Sequence, residues 1–448
     1  MGKTIAVLDL GTSKSTAFVV QKDYPGSKLT ILRTETLPSK GAIRRGRVYN
    51  LDETSGIISK LIRKLNSSPD TMKVEKIYVG IGGQSLHTQL FTVKRMIQGE
   101  VVKQELIESM EEEAKKYMPD FEDNLGISSC EYYADGQLVA NPKGTAASVI
   151  EAHFQLITGN PCLKRNLENL FNKNDISVAG YFISPLATAE AVLTSEEKES
   201  GCALVEFGEG VTYISIYKHK ALKYLITLPI GGLAITKDIR SLNVSESEAE
   251  TLKIEQGSAI PDLSDSGAVS VSERHSSPRN IELKDLNWII EARVDEIIRN
   301  VWSQIQASGY AQALGAGIVI TGGGALLRNL PQYIRNQTEK EVRLADARMW
   351  INRPESLLSP ADSCVIGLAL LGKDNCVEEK VLTPPIQQIP IFPEGEIEEV
   401  PKPPKEQVEK TSSIFRRMGK KLKDTFNEGA NLFQEEEDNN NNNATNKQ

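Results

Sequence analysis

At 448 residues the chain is too long for one hydrophobic core and is expected to divide into two or more packed units. A charged fraction of 25% and an apolar fraction of 40% are ordinary globular values, and a formal net charge of −8 excludes a body built to hold nucleic acid. Five scattered cysteines (Cys130, Cys162, Cys202, Cys364, Cys376) and four scattered histidines exclude a disulfide framework and a zinc cluster. Asp9 interrupts the only early apolar run, Ala6 occupies a position where acylation of Gly2 would want Ser or Thr, and no apolar run is long enough to span a bilayer. Any membrane contact is therefore expected to be peripheral.

In chain order, residues 3–20 read as strand, tight turn and strand: IAVLDL, GTSKS, TAFVV. A helix follows over 51–65, and VGIGG at 79–83 reads as a tight strand exit. Residues 202–217 repeat the strand–turn–strand pattern (CALVEF, GEG, VTYISIY). Over 286–305, Ile290, Val294, Ile297, Ile298, Val301 and Ile305 recur at helical spacing, the stripe of a core-facing helix. Residues 317–330 (GIVI, TGGGA, LLRNL) predict strand, turn and helix. The body is therefore expected to be α/β.

From residue 377 the composition changes. Seven prolines fall between Pro384 and Pro404 among Glu394, Glu396, Glu398 and Glu399, which predicts an extended, disordered linker over 377–411. An acidic, Asn-rich tail occupies 434–448. Between them, at 412–433, Phe415, Met418, Leu422, Phe426 and Phe433 share one helical face beside Ile414, while Arg416, Arg417, Lys420, Lys421 and Lys423 crowd the others. A basic amphipathic helix beyond a tether fits an anchor at an anionic membrane surface. A helix that docks on a partner protein, or folds back on the body, would carry the same pattern.

Three glycine turns, each following an apolar strand, can aim backbone N–H groups at a polyphosphate without side-chain interference. In the first turn Asp9 stands at the strand end, where a carboxylate can hold magnesium through water.

With those motifs in place, the chain resembles the actin, heat-shock chaperone and sugar kinase superfamily. DLGTSKS resembles its first phosphate loop (Asp9, Gly11, Thr12, Ser13, Lys14), and EFGEGVT is similar to the second (Glu206, Gly208, Gly210, Thr212). TGGGA is similar to the adenosine loop (Gly322, Gly323, Gly324). SPLATAEAVL and SPADSCVIGLALLG resemble the two helices that connect the lobes. AETLKIEQGSA resembles the nucleotide-ribose segment, which would turn Glu250 and Lys253 toward ribose and base.

Within the superfamily, IYVGIGGQSLHTQ, NPKGTAASVIEAHFQLIT and LPIGGLAITKDI resemble the FtsA family, as does the tethered terminal helix. The resemblance implies a two-lobed actin-like ATPase fold with an FtsA-type inserted subdomain. Lobe I would occupy 1–86 and 166–198 and return at 347–376, with the insert at 87–165. Lobe II would occupy 199–235, a subdomain at 236–311 and the adenosine loop at 312–346. It further implies Mg-ATP held between the lobes by Asp9 and Glu206, and filaments of the chain itself on the inner membrane face. Those filaments would tether the FtsZ C-terminal peptide, while later division proteins would meet the insert. The helix 286–305 would lie on the FtsZ side, with Arg293 off its apolar stripe and free to pair with an acidic tail residue, or simply solvated.

The sequence also departs from the family. Glu206 replaces an Asp, Glu209 and Val211 stand where Gly and Thr are common, and Ser184 precedes Pro185 where some bacterial actins place a water-polarising Glu. A neutral hydroxyl is a poor general base, so nucleotide binding with slow or absent hydrolysis is expected. A membrane-associated scaffold of rod-shape or pilus-assembly type, or a small-metabolite kinase, shares the phosphate loops and stays open at this point.

Overall fold

The computed structural model describes residues 2–379 apart from 40, 68–71, 175, 263, 265–266, 272–278 and 353–357. The linker from 380, the terminal helix and the tail lie outside the described residues.

Two sheets are built on one plan. In the first, strands Lys3–Leu10, Lys14–Lys22 and Leu29–Pro38 form an antiparallel meander, and Lys76–Ile81 and Ser177–Ile183 add parallel strands beside Lys3–Leu10. In the second, Cys202–Phe207, Thr212–Lys218 and Ala221–Leu228 form the meander, and Ile318–Thr321 and Val342–Leu344 add the parallel pair. Each lobe thus has the strand order third, second, first, fourth, fifth. The first strand is central in both, which explains why IAVL and CALV are continuously apolar rather than alternating: both faces are covered. Ile5, Ala6, Val7 and Leu8 are fully buried. Along the second first-strand, Cys202 and Leu204 join the core shared with lobe I, while Ala203 and Val205 face a separate core in lobe II.

Helices Ser184–Val192 and Ser363–Leu371 pack against each other between the lobes. They approach so closely that a Cβ on Gly367 would lie 1.9 Å from the Ala187 carbonyl oxygen. Helix Leu51–Leu65 starts where the Asn50 side chain accepts from the Asp52 and Glu53 N–H groups. The expected helix at 286–305 extends over Leu283–Ala307, and its six-residue stripe is buried in the lobe II core. At about 1.5–3 kcal/mol for each fully buried aliphatic side chain, that stripe fastens the helix firmly.

The insert carries its own sheet, from strands His87–Met96, Val149–Gly159, Asp123–Ala134 and Gln137–Val139, with helix Gln104–Lys116 and a separate small core around Met110, Ile150 and Phe154. It leaves lobe I after Ile81 and returns at helix Cys162–Asn174, whose Leu163 already belongs to the lobe I core. Its first strand nevertheless pairs with lobe II, at His87 and Ile226, so that lobe II and the insert share one nine-stranded sheet.

Two local expectations fail. LLRNL is not helical: a short 3-10 turn, Gly323–Leu326, follows the glycine loop, and helix Leu330–Thr338 begins only afterwards. Arg328 and Asn329 are held off the helix by residues 256–259: the Arg328 side chain donates to the Gln256 and Gly257 carbonyls, its own carbonyl accepts from Ala259, and Asn329 donates to Ser258. Nor does the chain leave the body at residue 377. Val377–Glu379 pairs antiparallel with Met72–Val74, and Val377 is buried.

Candidate functional site

All three glycine turns open into one cavity of about 390 Å³ between the lobes, a size typical of small-ligand sites. The first two turns are copies of one device. Gly11 N–H donates to the Lys14 carbonyl (3.0 Å), and Gly208 N–H donates to the Val211 carbonyl (2.9 Å). Asp9 pairs across its meander with Thr16, and Glu206 with Tyr213, at the same offset. The two carboxylates therefore end equivalent strands and line the same cavity.

Their surroundings are costly. Burial pushes the Asp9 carboxyl above its ordinary range, against the pull of the Cys364 thiol, which donates to Asp9 Oδ1 (3.4 Å), and of the Lys14 ammonium. Burial first, then repulsion from Asp9, pushes Glu206 up to about 8. Glu206 Oε2 is buried with no hydrogen-bond partner among the described residues. Paired, under-satisfied oxygen donors fit a hard dication that fills its other positions with water and phosphate. The residues thus fit magnesium, although among the described residues no three His, Cys, Asp or Glu side chains are grouped to hold a metal by themselves.

Around this pair, Gly11, Thr12, Ser13 and Lys14 line one wall, with Gly208 and Gly210 opposite and Gly322, Gly323 and Gly324 beyond them. Lys14 Nζ pairs with Asp362 Oδ1 (2.9 Å) at the foot of helix Ser363–Leu371. Thr12 touches the second loop: its hydroxyl accepts from Gly46 N–H (3.0 Å), and a Cβ on Gly210 would meet it at 2.7 Å. Thr212 does not reach the cavity. It is the first inward residue of the return strand, buried and donating to the Ile230 carbonyl (2.8 Å), just as its counterpart Ser15 is buried against Ser39.

Glu250 and Lys253 line the cavity from helix Glu246–Glu255, but they are paired with each other (2.6 Å), and Lys253 also donates to the Gly232 carbonyl (3.1 Å). Glu209 lines the wall as well. Burial pushes its carboxyl up, Glu250 adds to that, and Lys253 pulls it back. Ser184 lines the floor.

Several lining residues escaped the sequence reading. Gly80 and Gly82 are part of the floor rather than a mere strand exit: a Cβ on Gly80 would strike the Ser184 hydroxyl (2.6 Å), and one on Gly82 the Tyr213 hydroxyl (2.5 Å). Tyr213, Cys364 and Gly46 also line the cavity, and Ile235, Ile254, Leu326 and Leu327 add apolar surface on the lobe II side. The repeat itself was the available signal for Tyr213, which follows Glu206 at the spacing at which Thr16 follows Asp9. Arg293 is no free cation. It grips Asp238 through two nitrogens (2.5 and 3.1 Å) and also pairs with Glu296, bracing its helix against Gly232–Ile239.

With this geometry established, the kinship of the chain is clear. It is 32% identical over 385 residues to the cell division protein FtsA of Porphyromonas gingivalis, covering 84% of this chain and 80% of that protein. The chain belongs to the FtsA family of cell division proteins. The family profile "Cell division protein FtsA" matches residues 203–367, and FtsA of Escherichia coli K12 is 26% identical over 385 residues, 83% of this chain and 91% of that protein. Among solved structures, the PilM–PilN type IV pilus biogenesis complex superposes with a TM-score of 0.56 at 15% identity, over 82% of this chain and 97% of that one. That likeness carries the actin-like fold. This FtsA-family chain is thus an actin-like cell division protein whose two repeated lobes enclose a cavity built from glycine loops and paired carboxylates.

Proposed function

We propose that the chain binds Mg-ATP between its lobes, polymerises as an actin-like filament on the inner face of the cytoplasmic membrane, and there tethers FtsZ through its C-terminal peptide. One observation carries the nucleotide reading: two copies of one glycine turn, each ending a strand in a carboxylate, face each other across a single cavity. The N–H groups of 11–14 and 208–210 would cradle phosphates, and Lys14 would exchange Asp362 for phosphate charge. Glu250 and Lys253 would meet the ribose, and Gly322–Gly324 would lie along the adenosine. Asp9, and with it Glu206, would hold magnesium, which when bound neutralises phosphate charge. Ser184, on the floor, is too weakly basic to draw a proton from water, so turnover is slow or absent.

Among the described residues no helix is long and apolar enough to cross a membrane. Attachment is assigned to the basic amphipathic stretch 412–433, through Phe415, Met418, Leu422, Phe426 and Phe433 and the cations Arg416, Arg417, Lys420 and Lys421. The insert offers the surface for later division proteins. Because Arg293 is engaged with Asp238, an FtsZ tail would be read by neighbouring surface of the 236–311 subdomain unless it displaces that pair. The decisive experiment places the purified protein on anionic vesicles with Mg-ATP and scores filaments and FtsZ recruitment. Vesicle-bound protein that neither forms filaments nor recruits FtsZ would overturn the proposal.

A further inference from the structure

The inserted subdomain belongs to lobe I by chain connection and to lobe II by its sheet. Its root, residues 82–86, leaves the first lobe directly beneath the cavity, and Gly82 lines that cavity. From the other lobe, Tyr213 reaches across: it lines the same cavity, and its phenol oxygen accepts a hydrogen bond from Gly83 N–H (2.8 Å). A Cβ on Gly82 would fall 2.5 Å from that oxygen, so the root passes the phenol only because glycine stands there.

Beyond the root, the insert is stitched to the third strand of lobe II. Thr227 donates to the Leu86 carbonyl (2.8 Å), Thr88 Oγ1 accepts from Leu225 N–H (2.9 Å), and Ser129 donates to the Leu222 carbonyl (3.0 Å). Lys223, only 8% exposed, pairs with Glu131 of the insert. Tyr213 pairs with Thr227 across the meander, so the phenol contact and the stitch share one rigid ribbon.

We propose that Tyr213 and the Ala221–Leu228 strand couple nucleotide occupancy to the inserted subdomain, so that the insert presents its surface differently in loaded and empty protein. The inference rests on the nucleotide reading above. A ligand bridging the two glycine loops contacts both lobes and fixes their relative position. The insert, tied covalently to one lobe and through hydrogen bonds to the other, cannot follow both without responding at its root. A ligand shifts such an equilibrium only by its differential affinity for the two arrangements, commonly a 5–150-fold effect. Tyr213 acts here as a positioning residue, and the response is carried by the side-chain hydrogen bonds and the ion pair of the stitch, which a rigid-body displacement of lobe II must load.

The test is amide hydrogen exchange on the full chain, with and without a saturating non-hydrolysable magnesium–ATP analogue. In the wild type the analogue should slow exchange at residues 9–14 and 206–211 and also alter it by about fivefold or more at 86–96 and 149–159. Tyr213→Phe keeps the ring and loses the oxygen that Gly83 bonds; because Tyr213 lines the cavity, this variant is read at analogue concentrations that protect its loops, and there the response of the insert should disappear. Thr227→Val, outside the cavity, should bind the analogue as the wild type does and likewise silence the insert. Protected loops with an unresponsive insert in the wild type, or a full insert response in both variants, would overturn the coupling alone. Absence of protection at the loops themselves would overturn the nucleotide reading and the coupling with it.

Discussion

Glu206 is the residue whose cost can be worked out most directly. Its carboxyl is raised from an ordinary 4.5 to about 8, first by burial and then by Asp9. Between those values the unfolded chain has released the proton and the folded chain retains it. The folded state therefore binds more protons, and stability falls as pH rises, by up to about 1.4 kcal/mol per pH unit. The penalty is absent below the unfolded value, reaches roughly 3 kcal/mol at neutral pH, and levels off near 5 kcal/mol once the folded group ionises. Glu206→Gln removes the titration and keeps the shape, so the metal-free variant should gain on the wild type progressively from about pH 5 to about pH 8 and then hold a constant advantage. Denaturant unfolding at a series of pH values, without nucleotide or divalent cation, measures this. Addition of magnesium and ATP should reverse the ranking, because only the ionised carboxylate attracts the cation. A difference between the two proteins that stays flat from about pH 5 to about pH 9 would refute the argument.

Three further outcomes can be measured. Glu209→Gln should tighten Mg-nucleotide binding about tenfold, well below the roughly 4 kcal/mol of a charge pair at 4 Å and an effective dielectric near 20, because Lys253 already offsets part of the charge; calorimetry giving unchanged or weaker binding counts against it. Gly367→Ala places a methyl 1.9 Å from the Ala187 carbonyl oxygen and should cost about 3 kcal/mol or more in denaturant unfolding, whereas a loss under about 1 kcal/mol would mean that the helices can separate freely. Replacing Lys420 and Lys421 by Glu should weaken binding to anionic vesicles at least about tenfold, since each cation near such a surface contributes roughly 1 kcal/mol, and should leave binding to neutral vesicles little changed; equal losses on both would point to a helix that docks on protein instead.

The parts of the fold legible in the sequence were those fixed by local pattern. Apolar runs ending in glycine turns located both first strands, and the 3.6-residue stripe located the helix that carries Arg293. What stayed hidden depends on partners far apart in the chain. The contact of Tyr213 with Gly83 joins residues separated by 130 positions. LLRNL has helical composition, yet Arg328 and Asn329 spend their hydrogen bonds on the 256–259 segment. Val377 begins a run of linker-like composition, but the free edge of Met72–Val74 captures it. Glu250 and Lys253 line the cavity, and their pairing with each other could not be read from a spacing of three residues, which allows but does not compel it.

The internal repeat gives the unusual second loop a physical explanation. Asp9 and Glu206, Thr12 and Glu209, Lys14 and Val211 occupy equivalent positions in the two turns, so every difference between the loops is a difference of side chain on one backbone. The first loop carries a surplus cation, and its countercharge, Asp362, comes from the helix that returns to lobe I. The second carries a surplus anion, Glu209, and the cation that pulls against it, Lys253, comes from helix Glu246–Glu255 together with Glu250, which pushes the other way more strongly. In each case the compensating group lies outside the repeat and lines or borders the same cavity. A phosphate chain laid between the loops would therefore displace Asp362 from Lys14 on one side and set Lys253 between phosphate, Glu209 and Glu250 on the other. Lys253 pulls against the charge of Glu209, so Lys253→Met should weaken nucleotide binding more when Glu209 is present than in a Glu209→Gln background. Additive effects of the two substitutions, measured by a double-mutant cycle, would show that the residues do not compensate each other.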